Sequence, residues 1–121
     1  MSDSSTTFSE IKEKITHFSE ERDWHQFHSP KNLAMALTAE AGELMECFLW
    51  NDSGASHHTM KDPKKAQEIR DEIADIVIYA LEFCNVTGID ISDAIHEKIQ
   101  QNATKYPVEK ARGNSAKYTE L

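Results

Sequence analysis

Two pairs of carboxylates interrupt otherwise apolar helical stretches of this 121-residue chain, and this feature limits its possible folds more than any other. Glu40 and Glu43 lie in NLAMALTAEAGELMECFLW, residues 32–50, and Glu72 and Asp75 lie in EIRDEIADIVIYALEFC, residues 68–84. Residues three apart project from nearly the same face of a helix, so each pair brings two like charges together. Like charges on an apolar face need a cation nearby.

The neighbours of these acids limit how their charges are satisfied. Glu40 is flanked by leucine and alanine, and Asp75 by isoleucine, alanine and valine. Burying an isolated carboxylate costs on the order of several kcal/mol. A salt bridge could satisfy one acid, but the helices that carry all four have no basic residue on the same face. Four hard oxygen ligands suit Mg²⁺, with Mn²⁺ as a substitute, and Mg²⁺ often meets its protein through substrate phosphates. The sequence therefore indicates phosphoryl chemistry.

Helical periodicity and capping residues predict an all-α protein of four helices, and no stretch alternates as a β-strand does. Short connections favour antiparallel neighbours, and sites in such bundles form from side chains on facing helices. The predicted helices run from a capping box at Thr7 to about residues 21–23, from Pro30 to Trp50, from Pro63 to about Val86, and from the cap Asp90 to a residue before Tyr106.

The third predicted helix carries two apolar stripes, so we expect it to be central and buried on more than one side. The fourth is expected to turn Ile91, Ile95 and Ile99 inward. Residues 51–61 read as a polar loop. We expect a disordered N-terminus over residues 1–6, a helical domain over residues 7–105 and an extended C-terminal arm over residues 106–121.

Charge and composition exclude several classes of partner. The formal net charge is −8, and the acidic body argues against binding to a nucleic acid polymer or a membrane surface. From Lys98 to Leu121 the charge balance is locally basic, which suits a small polyphosphate ligand beside an acidic metal site. The start MSDSSTTF has neither the basic nor the apolar region of a signal peptide. No apolar run reaches the roughly 20 residues of a membrane span. We therefore expect a cytoplasmic protein.

The segment ERDWHQFHSP, residues 21–30, concentrates aromatic and imidazole side chains in a loop. Trp24 and Phe27 either fold back over the end of the bundle or form the wall of a pocket. The sequence leaves both alternatives open.

The order of these motifs resembles a known family. E-A-G-E (residues 40–43) followed by E-I-A-D (residues 72–75) is similar to the Glu-x-x-Glu and Glu-x-x-Asp signature of the all-α MazG-like nucleoside triphosphate pyrophosphohydrolases. Further segments resemble the dCTP pyrophosphatase branch: ERDWHQFHSPKNLAMAL, the Ile78-Tyr79 pair, KIQQNATKYP and the closing KYTEL.

The resemblance implies hydrolysis of a deoxynucleoside triphosphate, dCTP or a modified dCTP above all, to the monophosphate and pyrophosphate. It implies a homo-oligomer, either a dimer or a dimer of dimers, with sites shared between subunits. Close relatives carry a histidine near the base where this chain has Ile15, and that difference bears on base preference.

The resemblance also implies roles for individual residues. Mg²⁺ would be held by Glu40, Glu43, Glu72 and Asp75. The base would lie between Trp24 and Trp50, and Tyr79 beside the sugar and phosphates. Phosphate oxygens would contact Lys98 and Asn102, and the same pocket would include His28 and Lys31.

We expect a water activated by Mg²⁺ to attack the α-phosphorus, with Glu43 as the preferred candidate for the group that accepts its proton. A related pyrophosphohydrolase acting on dUTP or phosphoribosyl-ATP is an alternative. A non-catalytic helical module for nucleotide binding or assembly is another, and such a module would not require the four acids.

Overall fold

The computed structural model describes residues 1–121, and all of its regular secondary structure is helical, as predicted. No helix combines the length and the apolar character that crossing a membrane requires. Two 3₁₀ turns, His25–Phe27 and Tyr118–Glu120, accompany six α-helices: α1 (Phe8–Glu21), α2 (Pro30–Glu46), α3 (Ser53–Thr59), α4 (Pro63–Thr87), α5 (Ile91–Lys105) and α6 (Val108–Ala111).

The predicted starts of the long helices are confirmed because local capping determines them. The Thr7 hydroxyl accepts a hydrogen bond from the backbone N–H of Glu10, and the Glu10 carboxylate accepts one from the N–H of Thr7. The Ser29 hydroxyl caps α2 by accepting a hydrogen bond from the N–H of Asn32, and the Asp62 carboxylate caps α4 by accepting one from the N–H of Lys64; each cap is followed by proline. Gly88 ends α4 with φ of 75°, in the left-handed conformation that glycine adopts without strain.

Two predicted boundaries are wrong. Helix α2 ends at Glu46 instead of Trp50, because the N–H groups of residues 47–49 bond to carbonyls three residues back and tighten the chain into turns. Residues 51–61, predicted as a loop, contain α3. The Asp52 carboxylate starts this short helix by accepting a hydrogen bond of 2.7 Å from the N–H of Ala55.

The chain forms two compact units, Met1–Gly88 and Ile89–Leu121. In the first unit α4 is the central element, as predicted, and it packs mainly against α2 and also against α1. The buried apolar core draws on all three helices and consists of Ile15, Leu33, Ile69, Leu81 and Cys84. Burying one of the larger aliphatic side chains contributes about 1.5–3 kcal/mol to the stability of the fold.

One face of α4 is less buried than its periodicity predicts. Ile73 and Val77 remain 47% and 42% exposed in the single chain. The prediction that both apolar stripes are covered is therefore wrong for these two side chains, because α1 and α2, the helices that pack mainly on α4, leave them nearly half exposed.

The second unit consists of α5, α6 and the C-terminal 3₁₀ turn. Ile95 and Ile99 are 43% and 61% exposed, so the prediction that they point inward is wrong for this chain taken alone. Residues 106–121 fold back instead of extending. The Tyr118 ring packs edge-on against Tyr106 at a centroid distance of 6.0 Å, and the Lys105 ammonium lies 5.0 Å from the Tyr118 centroid. The residues that form these contacts follow no helical or strand periodicity, so the sequence pattern did not predict them.

Candidate active site

The packing of α2 against α4 brings together three of the four predicted acids. Carboxylate oxygens of Glu40, Glu43 and Glu72 all lie within 4.8 Å of one another. Glu40 and Glu72 are partly buried, whereas Glu43 is exposed. Asp75 lies one turn farther along α4 and outside this group of three. We refer to Glu40, Glu43 and Glu72 as the acidic cluster.

Two oxygens of the acidic cluster lack a partner. The Oε2 atoms of Glu40 and Glu72 are buried and form no hydrogen bond. Ionised carboxylates only accept hydrogen bonds, so these two groups cannot satisfy each other while both are charged. A buried acceptor without a donor is costly, which means that the site is incomplete without a shared proton or a cation. Hard, closely spaced oxygens of this kind fit a divalent cation.

The electrostatics of the acidic cluster lead to the same conclusion. The pKa of Glu40 is raised to about 7, first because protonated Glu40 can donate a hydrogen bond to Glu72, then because burial and the charge of Glu43 disfavour ionisation. The hydrogen bond from Glu40 lowers the pKa of Glu72, but burial, Glu43 and Asp75 outweigh it and raise that pKa overall. A shared proton, burial and repulsion among like charges therefore all oppose full ionisation of the acidic cluster.

A cavity of about 500 Å³ lies between α1 and α4, and of the four predicted acids Asp75, one turn from Glu72, lines it. From α4 it is lined by Asp75, Tyr79 and Glu82, which follow one another at helical spacing. Asp75 and Glu82 are separated by about 10 Å along the axis at about 1.5 Å per residue. Small-molecule sites commonly have volumes of about 300–1,000 Å³, so the cavity is large enough for a nucleoside lying between Asp75 and Glu82.

The loop between α1 and α2 supplies one wall of the cavity, which decides between the two alternatives for Trp24. Its ring packs edge-on against Phe18 at a centroid distance of 5.6 Å and against His28 at 6.5 Å. All three rings line the cavity. Phe27 is 59% exposed and lies outside this lining. The amide of Asn32 donates to the Phe27 carbonyl and ties the loop to the start of α2.

Glu82, which reads as an ordinary solvated residue in the sequence, is 1% exposed and was missed. Its Oε2 atom accepts a hydrogen bond of 2.7 Å from the Ser19 hydroxyl and lies 2.9 Å from His28 Nδ1. Its Oε1 atom accepts one of 3.1 Å from the amide of Asn85. Burial raises the pKa of Glu82, but the hydrogen bonds of Ser19, Asn85 and His28 outweigh burial and lower it. In the sequence, its spacing of three from Tyr79 was the available sign that Glu82 shares a helix face with the predicted site.

Two other predicted residues of the first unit, Trp50 and Lys31, do not line the cavity. Trp50 follows the end of α2 and is 92% exposed, so a single chain does not bring it against Trp24. Lys31 lines a separate shallow hollow on α2 with Met35 and Thr38.

Two further predicted residues belong to the second unit. Lys98 and Asn102 lie on α5 and are exposed. Their spacing of four places them on one face of that helix.

Comparison with known proteins gives consistent results. The sequence model of the MazG-like family matches residues 35–121. The dCTP pyrophosphatase 1 of Homo sapiens is 36% identical over 115 residues, which cover 95% of this chain and 68% of the human protein. The Bos taurus protein of the same name is 36% identical over 118 residues, covering 98% and 70% of the two chains.

A solved structure is also similar. A pyrophosphatase from Archaeoglobus fulgidus DSM 4304 superposes with a TM-score of 0.76 and 35% sequence identity. The alignment covers 82% of this chain and 91% of that chain.

The acidic cluster predicts an unusual response of stability to pH. Folded Glu40 keeps its proton up to about pH 7, whereas the unfolded chain loses it near 4.5, so this group reduces stability as the pH rises through that window. Without metal at pH 8, Glu40→Gln should therefore melt several degrees above wild type. The difference should vanish near pH 4.

Thermal denaturation with EDTA at both pH values measures this effect. Glu46→Gln, an exposed carboxylate on the same helix, is the matched control and should melt like wild type. Adding Mg²⁺ at pH 8 should raise the melting temperature of wild type more than that of Glu40→Gln. A Glu40→Gln protein that melts below wild type at pH 8 without metal would contradict this account.

Proposed function

The chain belongs to the MazG-like family, and we propose that it hydrolyses a deoxynucleoside triphosphate, dCTP or a modified dCTP first, to the monophosphate and pyrophosphate. The observation that carries this proposal is a pair of unpartnered buried carboxylate oxygens beside a cavity of nucleoside size. Relatives named as pyrophosphatases support an enzyme of the hydrolase class. An assembly module would not need the repulsion that the acidic cluster maintains.

The metal proposed for the site is Mg²⁺, with Mn²⁺ as a substitute. Its ligands would be Glu40, Glu43 and Glu72, with Asp75 completing the set from the next turn of α4. When bound, the ion neutralises phosphate charge and lowers the pKa of a coordinated water. The unpartnered Oε2 atoms of Glu40 and Glu72 support this assignment, because a cation would satisfy both at once.

The chain's own groups would orient the triphosphate and move one proton. Glu43 is the exposed member of the acidic cluster, so it is the carboxylate that water reaches most easily. We assign it the role of accepting the proton as water attacks the α-phosphorus and pyrophosphate leaves. Asp75, which both lines the cavity and lies near Glu72, would mark where the phosphates end and the nucleoside begins.

The nucleoside would occupy the cavity beyond Asp75. Trp24 offers a flat aromatic face to a base, and Tyr79 lies one turn after Asp75, where the sugar would pass. His28 lies next to Trp24 in the same wall. Trp50 at the base, Lys31 in the same pocket, and Lys98 and Asn102 at the phosphates are further proposed contacts. None of the four lines the cavity, so the structure of the single chain does not support these roles.

We also propose a homo-oligomer, a dimer or a dimer of dimers. Exposed apolar side chains of the first unit support self-association, among them Met35, Ile73 and Val77. A contribution of Trp50 to the base site would then come from a neighbouring copy. Light scattering of the purified protein should give the mass of two or four chains, and the mass of a single chain would overturn the proposal.

Metal-dependent release of pyrophosphate tests the reaction. Wild type should release pyrophosphate, and no orthophosphate, from dCTP with Mg²⁺ and none with EDTA. Removing a metal ligand should cost at least about 100-fold in kcat/KM, since even groups behind such ligands cost about 10- to 100-fold. Glu40→Gln and Glu72→Gln should both show this loss.

Glu68→Gln is the control, because Glu68 lies on the same helix and pairs with Lys65 at 3.3 Å. It should retain wild-type activity. Preference for dUTP or phosphoribosyl-ATP would move the protein to another branch of pyrophosphohydrolases. If the folded protein cleaves no triphosphate, the non-catalytic module replaces the enzyme.

The phosphorus attacked can be identified by isotope labelling. Hydrolysis of dCTP in water enriched in oxygen-18 should place the label in the monophosphate, because the new bond forms at the α-phosphorus. Mass spectrometry of the two products measures this. Label in the pyrophosphate would mean attack at the β-phosphorus and would refute the mechanism.

Stacking of the base on Trp24 predicts a change in substrate affinity. Loss of one base–aromatic stack costs about 1–3 kcal/mol, so Trp24→Ala should raise the KM for dCTP by about 5- to 150-fold. Trp24→Phe should recover most of that loss because it keeps an aromatic face. Steady-state kinetics of both variants measure the effect, and an unchanged KM for Trp24→Ala would exclude stacking at this wall.

A further inference from the structure

Glu82 is a buried charged group for which the proposed chemistry has no use. Its side chain is 2% exposed at the end of the cavity that lies away from the acidic cluster. A buried carboxylate is retained only where donors surround it, and this one has several. Ser19 comes from α1, His28 from the loop before α2, and Asn85 from the next turn of α4.

These contacts determine which atom carries the proton in each hydrogen bond. Glu82 has a lowered pKa and is ionised near neutral pH, so its oxygens only accept. His28 Nδ1, 2.9 Å away, must therefore be the donor. The Asn85 amide is fixed as well, because it donates to both the Lys12 carbonyl and Glu82 Oε1 at 3.1 Å. The carboxylate thus stands in a rigid frame that spans α1 and α4.

Fixing the proton on Nδ1 has a consequence for the other nitrogen of the same ring. In an uncharged imidazole with its proton on Nδ1, Nε2 carries a lone pair and accepts a hydrogen bond. The His28 side chain is 16% exposed and lines the cavity beside Trp24. With Nδ1 committed to Glu82, Nε2 is the ring nitrogen left for a ligand.

We propose that Glu82 is a positioning residue that sets the base preference of the site by fixing the tautomer of His28. An Nε2 acceptor on a residue that lines the cavity matches the exocyclic amino group of a base. It repels the carbonyl oxygen that uracil presents at the equivalent position of the pyrimidine ring. The selected class is therefore a pyrimidine nucleotide with an exocyclic amino group. This inference rests on the proposed function, because it places the base of the nucleotide in this cavity.

Exchange of Glu82 for glutamine should weaken the selection while keeping size and polarity. A glutamine amide can donate as well as accept, so His28 can place its proton on Nε2 and present a donor to the ligand. The ratio of dCMP to dUMP affinity should fall about tenfold in Glu82→Gln, about the effect of one mismatched hydrogen bond. Glu68→Gln makes the same chemical change outside the cavity and should keep the wild-type ratio.

Two measurements on the full chain test the inference. Calorimetric titration with dCMP and with dUMP gives the affinity ratio without requiring cleavage. Nitrogen-15 NMR of the imidazole rings reports the tautomer of His28, identified by its absence in His28→Gln. Wild type should carry the proton on Nδ1, and Glu82→Gln should not hold it there. A purely structural role for Glu82 would change stability but not the ratio or the tautomer.

The outcomes separate this inference from the proposed function. An affinity ratio in Glu82→Gln within twofold of wild type overturns the inference, whether or not wild type hydrolyses dCTP. A wild-type His28 with its proton on Nε2 overturns it too, and this result requires no variant to fold. If wild type binds dCMP selectively but releases no pyrophosphate, the hydrolase proposal fails and the inference stands.

Discussion

Repulsion between carboxylates on facing helices is the constraint around which this protein is built. Helices α2 and α4 pack through an apolar core that includes Leu33 and Ile69, and the same packing forces Glu40 and Glu72 together. Hydrophobic burial thus stabilises a fold in which carboxylates that repel each other are held close together. The raised pKa of Glu40 and the two unpartnered oxygens are the visible results. A bound cation would turn this unfavourable arrangement into a favourable one.

One face of α4 organises the rest of the site. Glu72, Asp75, Tyr79 and Glu82 follow one another at steps of three and four, so they form a single line along the helix. The line begins at the acidic cluster, continues along the cavity and ends at a carboxylate held by hydrogen bonds. The carboxylates at the two ends of this line differ in their hydrogen bonding. Glu72 has a buried oxygen without a donor and suits a cation, whereas Glu82 has its donors within the protein.

The sequence predicts most of the fold because the relevant signals are local. Caps at Thr7, Ser29 and Asp62 involve residues at most three positions away, so helix starts are readable without tertiary information. The end of α2 and the existence of α3 depend on weaker turn preferences, and both were predicted wrongly.

The candidate site divides in the same way. The spacing of Glu40 and Glu43 on one helix and the position of Glu72 on the helix that packs against it predict that the three acids lie close together. The structure brings these three together. The burial of Glu82 depends on Ser19 and His28, which lie 63 and 54 residues away in the chain, so its spacing from Tyr79 indicates the helix face but not the burial. Trp50 is 92% exposed in the single chain, and its place beside the base stays a prediction.

The most direct test is a crystal structure grown with Mn²⁺ and a dCTP analogue whose α–β bridging oxygen is replaced by an imido group. Anomalous scattering locates Mn²⁺ independently of the interpretation of the remaining density. We predict Mn²⁺ coordinated by oxygens of Glu40, Glu43 and Glu72, with the triphosphate beside it and the base in the cavity next to Trp24. Mn²⁺ bound elsewhere, or a nucleotide bound while the acidic cluster holds no metal, would contradict the claim that these carboxylates exist to bind a divalent cation.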